Sequence, residues 1–154
     1  MSYPALQSEQ TNTSRQTNTS RQTKASSMPF HKVGAVFYGL WGFWHFRVVA
    51  LMFEFATTQM EQGVLQARIY QGAFHILWFA VGAVAIAILF NWRNSRIGYW
   101  INLFMIGWTE AGLLLFFILP GYFPWLPTGF LGPLLWLGAV VFSTLGYCLN
   151  PQKG

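Results

Sequence analysis

The chain has 154 residues, of which 54% are hydrophobic, 19% aromatic and only 8% charged, with a net charge of +5. A soluble domain carries about 25% charged residues, so this composition excludes an ordinary water-soluble fold and points to an all-α membrane protein. The nine Lys and Arg residues are spread over a tail and short connections, which leaves no basic recognition surface and excludes a nucleic-acid partner.

The N-terminal segment 1–32 is rich in Ser, Thr, Asn and Gln and repeats Thr-Asn-Thr-Ser-Arg-Gln at Thr11–Gln16 and Thr17–Gln22. Such a segment buries too little apolar surface to offset its chain entropy, so it is expected to be a disordered cytoplasmic tail. Its composition also fits an organelle transit peptide, which would place the protein in an organelle membrane.

Four apolar stretches follow, at about 33–53, 69–90, 97–119 and 130–149. Each is close to the roughly 20 residues that cross a bilayer as a helix, and 33–150 is therefore expected to form one four-transmembrane-helix bundle. Arg15, Arg21, Lys24, Lys32, Arg93, Arg96 and Lys153 fall on one side of these spans and Arg68 on the other. The positive-inside rule then puts both termini in the cytoplasm of a cell membrane. The four-span layout resembles that of DoxX-like proteins and of membrane-anchor subunits of respiratory complexes. The likeness is one of architecture and transfers no residues.

Two stripes of small residues predict close helix packing: Ala73, Ala80 and Ala87 in the second span, and Gly132, Ala139, Ser143 and Gly146 in the fourth. The connection Pro120–Pro127 has three prolines and three aromatics, and reads as a rigid interfacial flap. Cys148 is the single cysteine, read as a small buried residue, and no disulfide or zinc motif is available to it.

Ionisable residues inside the spans are the candidate site, because each is costly in hydrocarbon and marks function by default. His45 and Arg47 lie in the first span, His75 in the second and Glu110 in the third. Counting 1.5 Å per residue, all four fall roughly 9 to 14 Å below one end of their helices. They are read as one polar pocket: His45, His75 and Glu110 with Arg47 supporting, and Trp41 and Trp78 on the histidine faces. Arg47 stands about 200° from His45 around the helix, so both cannot face the bundle axis.

Glu110 is the candidate catalytic group, as proton donor, acceptor or ligand contact. The alternative is an Arg47–Glu110 ion pair that only fixes helix register. Asn102 is read as an interhelical hydrogen bond. The expected ligand is a small amphipathic molecule such as a quinone or lipid, with the cofactor unspecified. Two rival readings stand: a non-catalytic subunit or assembly factor that binds a partner membrane subunit or a second copy, and a bis-histidine haem protein using His45 and His75.

Overall fold

The computed structural model describes residues 29–122 and 129–149, and all of its regular structure is helical. Helix α1 spans Phe30–Gln59, α2 spans Val64–Leu89, α3 spans Arg96–Leu113 and α4 spans Leu131–Leu149. A 3-10 turn at Asn91–Arg93 joins α2 to α3, and a π-helical segment, Leu114–Ile118, continues α3. Among the described residues, four helices are long and apolar enough to cross a membrane.

The helix borders differ from the sequence reading chiefly at the first connection. α1 runs 30 residues and ends at Gln59, leaving only four residues before α2. Residues expected in a loop, Arg68 among them, are therefore helical. Polar side chains hold this extension together: Thr57 Oγ1 lies 3.1 Å from Tyr70 Oη, and Gln66 Nε2 donates to the Ala56 carbonyl at 2.9 Å. Phe53 stacks on Tyr70 beside them.

The α2–α3 connection is tight. Asn94 adopts a left-handed conformation, φ 56°, which asparagine tolerates because its short polar side chain can bond locally. Ser95 then caps α3 by accepting from the Gly98 amide. At the far end of α3 the Leu119 amide returns to the Leu114 carbonyl, five residues back, which widens the last turn beyond α-helical pitch.

α1 is the central helix, packed along its length by α2 and α4, whereas α3 makes slighter contact with α2 and α4. The core follows a large-into-small rule. Tyr38 and Trp41 of α1 are wholly buried against Ala83 and Ala87 of α2, Ala139 of α4 and Ile106 of α3. This fit of large rings against small residues supplies close dispersion contacts between the helices. Both small-residue stripes are buried as expected.

Large apolar side chains such as Phe43, Phe74, Phe104 and Trp108 are exposed around the outside. Cys148 is exposed too, contrary to the sequence reading, because α4 turns its small stripe inward and Cys148 lies two residues beyond Gly146, about 200° around. The tail expectation for residues 1–28, the flap residues 123–127 and Lys153 lie outside the described residues.

Candidate functional site

Among the described residues, the interior of the bundle holds one carboxyl, and three helices build its surroundings. Glu110 of α3 is buried, 1% exposed, at the level where Trp41 and His45 of α1 and Gly132 of α4 converge. Trp41 Nε1 donates to Glu110 Oε1 at 2.5 Å. His45 lies one turn further along α1, its ring stacked on the indole with centroids 3.8 Å apart. Residues four apart share a helix face, which is how α1 presents both rings to α3.

The histidine's hydrogen bonds assign its tautomer. Nδ1 is 2.8 Å from the carbonyl oxygen of Trp41. A carbonyl can only accept, so Nδ1 carries hydrogen. In the neutral ring Nε2 is then a bare acceptor, and it faces Glu110 Oε1 at 3.9 Å. That separation is too long for a hydrogen bond but within ion-pair reach. The pair can therefore hold one proton in two ways, as carboxylic acid with neutral imidazole or as carboxylate with imidazolium.

Gly132 closes the site from α4. A Cβ at this position would stand 3.1 Å from Glu110 Oε1 and 3.2 Å from His45 Cε1. The missing side chain lets α4 lie against the pair at this distance without displacing either group. Glu110 Oε2, the second carboxyl oxygen, is buried with no protein partner. It is the valence through which a water or another polar group would meet the site.

Of the residues expected to form one pocket, the structure brings together Trp41, His45 and Glu110. His75, Arg47 and Trp78 point outward instead, all three exposed. One cause accounts for them all. Arg47 lies two residues after buried His45, His75 two after buried Ala73, and Trp78 two before buried Ala80. A two-residue step turns a helical side chain about 200°, onto the opposite face.

Two expectations are thereby corrected. Glu110 pairs with Trp41 and His45, not with Arg47. His45 and His75 do not face each other, so a haem ligated by both has no place in this arrangement. Asn102 is a third correction: both of its side-chain polar atoms are buried without a hydrogen-bond partner, so it makes no interhelical bond. Gly132 is the site residue that sequence reasoning assigned only to packing, and its register opposite Glu110 depends on how α3 and α4 meet.

Comparison of the chain with protein-family models, with curated proteins and with solved structures gives no match.

Proposed function

We propose that this chain is a multi-pass integral membrane protein that exchanges a proton at a Trp41–His45–Glu110 centre inside a four-helix bundle. The observation that carries the reading is the fixed tautomer of His45, whose unprotonated Nε2 is turned to the carboxyl at 3.9 Å. Glu110 gives its proton to Nε2 when the pair closes from 3.9 Å to hydrogen-bond reach and takes it back, while the Trp41 N–H holds Oε1 in place in either state. A buried acid beside a neutral base is the arrangement general acid–base chemistry requires. Oε2 is the docking point for the small amphipathic molecule, a quinone or lipid, that would bring or remove the proton. The exposed apolar belt supports the membrane reading, and the distribution of Lys and Arg supports cytoplasmic termini.

Infrared difference spectroscopy of the purified protein between acid and alkaline pH tests the proposal. A carboxylic C=O band that comes and goes with pH, and is missing in Glu110→Gln, is expected. A carboxyl band insensitive to pH, or one unchanged by the substitution, would sink it.

A second reading has an observation of its own. Arg47 and His75 lie on the outer surface, 12 residues from the end of α1 and 11 from the start of α2, well inside apolar helices. Polar groups in that position are stabilised by a partner, which supports a role as subunit of a larger membrane assembly. Release of co-purifying membrane proteins by Arg47→Leu with His75→Leu would favour it, and unchanged isolation of a lone chain would remove it.

A further inference from the structure

A second polar region lies between Trp41 and the end of the bundle where Lys32, Arg93 and Arg96 cluster. Tyr38 Oη, both amide atoms of Asn91, both of Asn102, Ser143 Oγ and His31 Nδ1 are buried there without a hydrogen-bond partner. Tyr38 and Asn102 are 0% exposed, Asn91 5% and Ser143 6%. They come from α1, the 3-10 turn, α3 and α4, so the whole junction of the bundle contributes. Buried polar groups of native proteins are satisfied by protein or by ordered water, and here the protein supplies no partner.

Space for one such water is present beside His31, Asn91 and Ser143. His31, Asn91, Asn94, Tyr99 and Ser143 line a recess of about 10 Å³, the room one water needs. At the same level a Cβ on Gly34 would collide with Ser143 Oγ, so α1 and α4 already touch and the recess cannot shrink by their approach. Asparagine, serine and tyrosine side chains both donate and accept, so they can orient water in either direction along a chain.

We propose that this basic end is a hydrated vestibule through which protons reach Glu110, with Ile106 as the dry barrier between them; the proposal rests on the proton-exchange reading of Glu110. Asn102 and Glu110 are eight residues apart on α3, about 12 Å along its axis. Ile106, wholly buried, stands midway. Helical side chains lean toward the N-terminus of their helix, so the Glu110 carboxyl leans toward the vestibule. On the side of α4 Gly132 packs against the pair.

The relay changes only O–H bonds. A hydronium at the rim gives a proton to the vestibule water, a transient water chain passes it across Ile106, and the last water protonates the carboxylate at Oε2. The titratable group facing Glu110 is His45 from α1; α4 offers Gly132, α2 offers its alanines, and Arg47 and His75 face outward. The vestibule adds His31, Tyr38 and Tyr99, with Lys32 and Arg93 near its mouth.

A pH jump followed by time-resolved infrared absorption of the full chain in detergent reads the rate at which the Glu110 carboxylic band rises. Asn102→Leu is expected to slow that rise by about tenfold, since leucine displaces water whose bonds it cannot reproduce. Ser143→Ala, a smaller change that keeps the fold, should slow it in the same direction. Ile106→Ser should speed it by wetting the barrier, and the equilibrium amplitude should stay the same in all three. A full-amplitude band with unaltered rates in the three variants overturns the vestibule while leaving the exchange at Glu110 intact. Absence of the band from the unsubstituted protein overturns both.

Discussion

Trp41 and His45, stacked one turn apart on α1, aim a ring nitrogen each at the same atom, Oε1 of Glu110, the indole as a hydrogen-bond donor and the imidazole 3.9 Å away, beyond hydrogen-bond reach. The indole can only give a hydrogen bond, and the imidazole, with Nδ1 engaged by a backbone carbonyl, can only receive a proton at Nε2. The two rings therefore divide into one that holds the carboxyl and one that turns a bare nitrogen toward it.

Removing the donor tests the first half of that division. Trp41→Phe keeps most of the buried ring but leaves Oε1 without its hydrogen bond, at an expected cost of about 1–3 kcal/mol. Thermal unfolding in detergent should show the loss, and a double substitution with Glu110→Gln should be less damaging than the two single losses added together, because the two residues are in contact.

Arg47 supplies the contrasting case. It is exposed and takes no part in the carboxyl's hydrogen bonding, so Arg47→Met combined with Glu110→Gln should give additive changes within about 0.5 kcal/mol. A double-mutant cycle with strong coupling would restore the ion pair that the structure replaces with Trp41 and His45.

At Gly132 the expected effect is steric. Alanine would bring a methyl group 3.1 Å from Oε1 and 3.2 Å from the imidazole, closer than ordinary contact. Gly132→Ala should therefore displace α4 or the pair and destabilise by about 1–3 kcal/mol, as overpacking does. Gly39→Ala, where nothing lies within 4 Å of the new methyl, should be close to neutral in the same melt and serves as the control.

Topology can be read independently of chemistry. Reporter fusions at the N-terminal tail and after Lys153 should both report the cytoplasm, in line with the cations flanking the spans. A fusion at Met60–Gly63, the turn between α1 and α2, should report the opposite side.

The four helices and the small-residue stripes were legible because both leave period and length in the sequence: runs of apolar residues long enough to span, and alanines seven apart at Ala73, Ala80 and Ala87. The meeting of His45 with Glu110 was legible as shared depth. What depth alone could not supply was azimuth. His75 and Arg47 match it in height and fail it in rotation, and only the packed faces of α1 and α2 decide that. The extension of α1 to Gln59 escaped because Glu54, Thr57 and Thr58 read as loop by polarity, while in the structure the two threonine hydroxyls bond carbonyls one turn back and stay helical. Asn91 carried no signal at all, and Ser143 only that of a small packing residue, since each is an ordinary polar residue until neighbouring helices bury it.

The π turn at Leu114–Ile118 bears on how related chains should be compared with this one. A π turn holds one residue more than the α turn it replaces, so a homologue with a single deletion between Leu114 and Ile118 could run α3 straight on without disturbing Glu110. Every residue after the deletion would then keep its face relative to Glu110, because five residues in the π turn carry the chain about as far around as four in an α turn. Alignments that cross this turn should accept a one-residue gap there, and matching Pro120–Tyr122 to a relative by continuous numbering from Glu110 would pair residues from different faces.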